Sequence, residues 1–331
     1  MIAEGYVGVQ KHPAADLWIY NYTPRAQYGR VWNEATMACR GLILDAERRV
    51  VARPFRKFFN LGEHEGSLPV EPFDAFEKVD GSLGILYFVD GVPHIATRGS
   101  FLSEQSQRAP QMLRTKYPDA TFDPGYTYLF EILYPENRIV VDYGGAEELV
   151  LLGKIETATG IEVPPFQLGD SRPFRSAHWH GMFDHPDQLE MGAGDNAEGF
   201  VLRFRESGLR LKVKFAEYVR LHRLVTGINA RNIWDLLRSG QSFDELLDKV
   251  PDEYYRWVQQ TTAELRNQYA AIESAAQAAF IDLGDRKLNA ERYKQHTHPH
   301  LLFAMLDNKP YDEAIWKLLR PAQATPFKSE V

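Results

Sequence analysis

The sequence predicts an α+β protein in two parts: a β-rich domain over residues 1–225, then an all-helical domain over residues 226–331. Two observations carry this. Up to Val225-Thr226-Gly227, short apolar runs alternate with turn signals at Asp90-Gly91, Asp123-Pro124-Gly125 and Gly144-Gly145, the punctuation of strands. Beyond that point the apolar residues recur at helical spacing and strand alternation stops. A chain of 331 residues has room for one large domain and one smaller one.

The elements follow in order. The run Phe73-Asp74-Ala75-Phe76-Glu77 mixes apolar and acidic residues, and Leu83 to Val89 reads as a buried strand ending in an Asp90-Gly91 hairpin turn. Lys78 therefore falls in a tight loop between sheet elements, where a rigid scaffold aims a side chain. Between Val201 and Arg223, the basic residues Arg203, Arg205, Arg210, Lys212, Lys214, Arg220 and Arg223 alternate with apolar ones around a Glu206-Ser207-Gly208 turn. That alternation predicts two strands with one face on the core and the other lining a charged cleft. Asn229 caps a helix carrying Ile233, Leu236 and Leu237, and Ser242-Phe243-Asp244-Glu245 is a capping box. Asp252 opens a long helix to about Leu283; Asn289 and Pro310 mark two later helix starts, and Pro321 a stop. The tail Ala322 to Val331 is expected to be loose. There is no internal repeat and no low-complexity tract.

Composition narrows the class. Hydrophobic residues make up 44%, ordinary for a globular protein, and the net charge of −7 argues against a broad, non-specific nucleic-acid binder. A local basic groove is compatible with it. There is no apolar run long enough to span a bilayer, and Met1-Ile2-Ala3-Glu4 opens no signal peptide. The expectation is a cytoplasmic enzyme. The single cysteine, Cys39, excludes an intrachain disulfide framework. Cys39 adjoins Arg40, so a nucleophile is one reading; a small buried core residue is the expected one.

The chemistry centres on Lys78-Val79-Asp80-Gly81-Ser82. A Lys ammonium becomes a nucleophile only after losing its proton. Alone, Lys-x-Asp-Gly is also an ordinary surface turn. The rest of the chain changes the balance. Upstream stand Cys39-Arg40-Gly41-Leu42-Ile43-Leu44-Asp45 and Arg53-Pro54-Phe55-Arg56-Lys57-Phe58-Phe59-Asn60-Leu61. Downstream stand Thr97-Arg98-Gly99-Ser100, Leu129-Phe130-Glu131-Ile132, Pro135-Glu136-Asn137-Arg138-Ile139-Val140-Val141, Glu198-Gly199-Phe200-Val201-Leu202-Arg203 and Leu211-Lys212-Val213-Lys214-Phe215. In this order the motifs resemble the covalent nucleotidyltransferase superfamily of polynucleotide ligases and capping enzymes. The Arg-Pro-x-x-Lys-Phe-Phe-Asn and Asn-Arg-Ile-Val runs resemble most closely the bacteriophage T4 RNA ligase 1 family.

The resemblance implies a ligase-type nucleotidyltransferase domain with ATP-grasp-like antiparallel sheets over residues 1–225. It implies ATP as substrate, with Lys78 forming lysyl-AMP, and Lys212 and Lys214 on the α-phosphate. Two strand residues two apart share a face, as that role requires. Lys57 and Arg40 are assigned to other phosphates or the far side of the nucleotide. Arg98 stands where the T4 enzyme has lysine, so the charge is kept while the point-charge geometry is not. Glu77 is counted with the nucleotide-binding residues, Glu131 with the ribose, and Glu198 with a Mg2+ or Mn2+ ion, a hard cation that prefers oxygen. Phe130 and Phe200 are expected in the core rather than as adenine platforms. Asn137-Arg138 is left open between nucleotide, RNA and bracing.

The expected partner is RNA with 5′-phosphate and 3′-hydroxyl ends, with tRNA repair, an end-healing kinase or phosphatase partner, and a monomer implied by the family. The helical domain is read as an RNA-specificity element. Alternatives are a DNA ligase or capping guanylyltransferase, disfavoured because the tail lacks the strand alternation of their β-barrel domain, a protein AMPylator, and a non-catalytic RNA-binding protein on the same fold. Pure binding has no need of Lys78, Glu198, Lys212 and Lys214 together. The clusters His178-Trp179-His180 and His296-Thr297-His298-Pro299-His300 have spacing for a transition metal, but without Cys or acidic company they read as loop histidines.

Overall fold

Strand-forming residues with one apolar face pair in three sheets, and the loops between the sheets place the chemistry. The structure is a computed structural model; it describes residues 1–163, 173–189, 196–219, 222, 229–243 and 252–321, with side chains of 252–256 outside the description. The chain separates into two compact units, Met1–Val225 and Thr226–Val331.

In the first unit, β1 (Val7–Lys11), β2 (Leu17–Tyr22), β3 (Arg40–Asp45) and β4 (Val50–Ala52) form an antiparallel meander. Two short helices, α1 (Pro24–Tyr28) and α2 (Glu34–Ala38), bridge β2 to β3. Next come β5 (Phe59–Asn60), β6 (Phe73–Glu77), β7 (Ser82–Val89) and β8 (Val92–Ala96). Helix α3 (Glu104–Lys116) follows, then β9 (Tyr126–Leu133), β10 (Glu148–Glu156), β11 (Glu162–Val163), β12 (Trp179–Phe183), β13 (Gly199–Phe204) and β14 (Arg210–Lys214). The second sheet runs β11-β10-β9-β7-β8 and the third β12-β6-β13-β14-β5. All pairs are antiparallel except the two-residue β14–β5 pair, which is parallel and departs from the expected all-antiparallel sheets.

The β7–β8 hairpin turns at Asp90-Gly91, as its sequence demands. The chain passes from β6 in the third sheet to β7 in the second through residues 78–81. Lys78 thus lies where one sheet hands over to the other. The cores sit on either side. Ile19, Ile43, Ile85 and Leu129 join the first sheet to the second, while Met112 and Leu113 of α3 pack on Leu86, Phe130 and Ile132. Phe73, Phe200, Leu202, Leu211 and Val213 form the core of the third sheet. Phe130 is fully buried and Phe200 nearly so, both as core. Each such ring contributes roughly 1.5–3 kcal/mol by leaving water.

In the second unit, Asn229 caps the helix Ala230–Ser239 as expected, its side chain accepting from Arg231 N and Asn232 N. Asp244 and Glu245 of the expected Ser242-Phe243-Asp244-Glu245 capping box, and the tail from Ala322, lie outside the described residues. The long helix, Asp252–Ala279, stops four residues before Leu283, because Asp282 instead holds a turn by accepting from Gly284 N. The next helix, Arg286–Tyr293, starts on Asp285, whose carboxylate caps Lys287 N and Leu288 N. Asn289 is not a helix start but a buried residue inside this helix, bonded to Leu283 N and Asp282. The helix Pro299–Leu306 uses Pro299 in its first turn and was not foreseen; Asp312–Leu318 begins just after Pro310. Tyr293, Leu301, Leu302 and Ile315 fill this unit's core. Among the described residues no helix is long and apolar enough to cross a membrane.

Candidate active site

The loop 78–81 is pinned at both ends before any side chain acts. Lys78 N donates to Gly199 O at 2.9 Å and Asp80 N to Tyr143 Oη at 2.7 Å. Asp80 is 3% exposed and accepts from Val140 N and Val141 N, both at 2.9 Å, and from Tyr218 Oη at 2.7 Å. Its carboxylate thereby ties two separate segments to the loop. Gly81 N donates to Glu131 Oε1 at 3.1 Å, and a Cβ at Gly81 would stand 2.7 Å from Ile132 O, so the loop crosses β9 too closely for any side chain there.

From this loop Lys78 Nζ reaches Glu198 Oε2 at 2.6 Å, while Lys214 Nζ holds Glu198 Oε1 at 3.0 Å. Glu198 is 3% exposed. Burial pushes its carboxyl up, but Lys78 and Lys214 outweigh that, and the net effect is a carboxyl held below its ordinary range. Glu131 goes the other way. Burial outweighs the nearby Lys78 charge, Glu198 adds repulsion, and the group is raised from 4.5 to about 7.

The strand register explains the row of cations. Phe200 pairs with Val213 and Leu202 with Leu211, and these point to the core. The alternate pairs, Gly199–Lys214, Val201–Lys212 and Arg203–Arg210, therefore share the other face. This face is more enclosed than a solvated cleft: Arg203 and Lys212 are each 8% exposed. Arg203 and Arg210 both pair with Glu162, and Arg205 pairs with Asp74 at 2.7 Å. Arg220 and Arg223 lie outside the described residues.

The remaining residues fall in a second group beside the first sheet. Lys212 is in register with Asn60, close after Lys57 in the chain. Lys57 is 5% exposed and lies against the rings of Tyr22, Trp32 and Phe59; Arg98 stacks on Tyr22, and Arg40 on Phe58. Arg40 also acts electrostatically on Glu131, which links the two groups. Glu77 is placed differently: its Oε2 accepts from Arg175 Nη1 at 3.0 Å and His178 N at 3.1 Å. Asn137 braces, accepting from Ser82 Oγ and Gln105 Nε2, and Arg138 pairs with Asp142 on the surface. Cys39 is a half-buried helix cap whose thiol burial pushes up, the opposite of an activated nucleophile.

A cavity of about 390 Å³ opens beside Lys78 and Glu198, with Tyr143, His180 and Phe215 in its wall. It lies on the Phe200 side of β13, away from the cation row. Among the described residues no cluster of three or more His, Cys, Asp or Glu is arranged to hold a metal. Glu198, with Glu131 near the same lysine, has carboxylate oxygens that would suit a Mg2+ or Mn2+ ion taking most of its oxygens from phosphate and water. Sequence reading missed Asp80, Tyr143 and Tyr218 as a clamp; the Asp of Lys-x-Asp-Gly was its only signal, and it read as turn chemistry.

Lys78 thus lies between two sheets, beside a strand face that carries Lys212, Lys214, Arg203 and Arg210. The RNA ligase family model of the T4 type matches residues 38–171. The RNA ligase of Rhodothermus phage RM378 is 25% identical over 355 residues, covering 82% of this chain and 77% of that protein. A relative from Thermovibrio ammonificans is 33% identical over 193 residues, covering 53% of this chain and 50% of the relative, so the chain spans about half that relative's length. A solved archaeal ATP-dependent RNA ligase has a TM-score of 0.48 at 16% identity, over 88% of this chain and 84% of its own. Over residues 38–171 the chain is similar to the T4-type RNA ligase family, and its two relatives above are named as RNA ligases.

Proposed function

We propose that the chain is an ATP-dependent RNA ligase that joins a 5′-phosphate to a 3′-hydroxyl through a lysyl-AMP and an AppRNA intermediate. The observation that carries the reading is Lys78 Nζ at 2.6 Å from the buried Glu198, which Lys214 holds from its other oxygen. The similarity to RNA ligases over residues 38–171 supports the reaction class.

Lys78 first sheds its proton and leaves Glu198. Its Nζ attacks the α-phosphorus of ATP, a P–N bond forms, and the P–O bond to pyrophosphate breaks. Lys212 and Lys214 stand ready for the charge that grows on the α-phosphate oxygens. Arg40, Lys57 and Arg98 take the outer phosphates or the far side of the nucleotide, and Glu131 the ribose. Glu77 acts through its place beside Lys78 rather than by its carboxylate, which Arg175 occupies. A Mg2+ or Mn2+ ion held by Glu198 would supply charge neutralisation for the polyphosphate. An RNA 5′-phosphate oxygen then attacks the same phosphorus and the P–N bond breaks, leaving AppRNA. A 3′-hydroxyl attacks the RNA 5′-phosphorus and AMP departs.

The helical unit acts as the RNA-specificity element, with nicked tRNA the substrate the family suggests. The test is incubation with α-labelled ATP and magnesium, followed by 5′-phosphorylated single-stranded RNA. Label that appears on protein and then moves to RNA supports the reading. Label that stays on Lys78 or moves to another protein sinks it, and stronger labelling by GTP moves the chain to the capping class.

A further inference from the structure

We infer that Tyr22 is a positioning residue that holds Lys57 and Arg98 together for the phosphate tail of the nucleotide. The inference rests on the proposed nucleotide site. Tyr22 precedes the matched family segment, and no sequence motif marked it.

Tyr22 is 3% exposed at the end of β2, where its N donates to Cys39 O at 2.6 Å, beside the start of β3. Its ring lies 5.5 Å from Lys57 Nζ and 5.2 Å from the Arg98 guanidinium carbon, and its Oη accepts from Arg98 Nη1 at 3.2 Å. One aromatic ring therefore touches two cations drawn from two different motifs. Trp32 and Phe59 complete the enclosure of Lys57, each with its ring centroid 5.4 Å from Nζ. The rings brace one another edge-on, Tyr22 to Trp32 at 5.2 Å and Trp32 to Phe59 at 5.5 Å.

A π face attracts a cation at these distances. The shared ring sets the two cations side by side, so that one polyphosphate can meet both charges at once. Lys212 is in register with Asn60, the neighbour of Phe59, so the enclosure continues into the cation row. The ligand chemistry is the two phosphates extending beyond the α-phosphate, not the nucleoside.

The test measures equilibrium binding, by calorimetry on the full chain, of α,β-methylene-ATP, inorganic tripolyphosphate and AMP. Tyr22→Leu should weaken the first two about tenfold and leave AMP within about twofold. Tyr22→Phe keeps the ring and should recover most of the loss. Should the leucine variant not fold, phenylalanines with increasing ring fluorination at position 22 keep the shape while weakening the π face. Tripolyphosphate affinity should then fall stepwise at constant thermal midpoint. Tripolyphosphate binding that is unchanged across that series, equal loss of AMP, or no binding of tripolyphosphate by the wild type would each overturn the inference. Lysyl-AMP formation by the wild type, scored separately, reports on the proposed function alone.

Discussion

At the scale of single residues, the site sets two carboxylates against each other. Glu198 is held ionised by Lys78 and Lys214, whereas burial dominates at Glu131 and raises it from 4.5 to about 7. A raised carboxyl means that the folded state binds the proton more tightly than the unfolded chain. Its contribution is therefore neutral below about pH 4.5 and turns unfavourable as pH rises through 7. A shift from 4.5 to about 7 corresponds to a cost on the order of 3 kcal/mol at high pH. Glu131→Gln removes this titration, so the variant should lose less stability than wild type between pH 5 and pH 8.5. Urea unfolding at both pH values checks it, and parallel curves for the two proteins would refute the assignment. At Lys78 the prediction is simpler. Lys78→Ala and Lys78→Arg should both abolish AMP labelling, the second because a guanidinium stays protonated. Acid-labile AMP at wild-type yield on either variant would remove Lys78 as the nucleophile.

At the scale of elements, the third sheet brings chemistry from strands far apart in sequence to one face. β13 carries Glu198 at its entry, β14 carries Lys212 and Lys214, and the loop after β6 carries Lys78. The junction is Gly199, at φ 145, where a Cβ would sit 1.9 Å from Val213 O. No rotamer change relieves a clash between backbone atoms. Gly199→Ala should push β13 and β14 apart, take Glu198 away from Lys78, and cost roughly 2–4 kcal/mol. Adenylation should drop more than nucleotide binding, since the phosphate-facing lysines keep their charge. A crystal structure with an unchanged Lys78–Glu198 pair would contradict this. Such elements were legible in the sequence to different degrees. The β7–β8 hairpin was legible because Asp90-Gly91 and the apolar run are local signals. Helix α3 was not: Pro110 lies within it and its surface is polar, while its stability comes from packing Met112 and Leu113 on the second sheet. The end of the long helix was missed because it depends on the Asp282 side chain rather than on a proline or glycine alone.

At the scale of the whole molecule, the residues of the proposed covalent chemistry were legible and their support was not. Lysine nucleophile, cation pair and acidic residue are fixed in type by what they do, so Lys78, Lys212, Lys214 and Glu198 were named from sequence, and the first, third and fourth of these meet directly. Asp80 with Tyr218 depends on a contact 138 residues apart, which no local pattern announces. The same division of labour predicts the behaviour of the two units. Every motif for nucleotide chemistry lies in Met1–Val225, while Thr226–Val331 has its own core of Tyr293, Leu301, Leu302 and Ile315. Lys287, Arg292 and Lys294 are exposed there, and the exposed His300 lies close by in sequence. Such groups suit phosphate contacts, which position RNA without reading its sequence. A chain ending near Thr226 should keep AMP labelling of Lys78 at least in part and lose sealing of a nicked stem-loop by about tenfold or more, equivalent to about 1.4 kcal/mol of lost binding. Joining of a short unstructured strand should fall less. Circular dichroism and a cooperative melt must first show a folded fragment. Charge reversal of Lys287, Arg292 and Lys294 in the full chain then isolates the electrostatic part and should steepen the loss with added salt in wild type relative to the variant. A folded fragment that seals both substrates as well as the full chain would deny the helical unit any part in RNA selection.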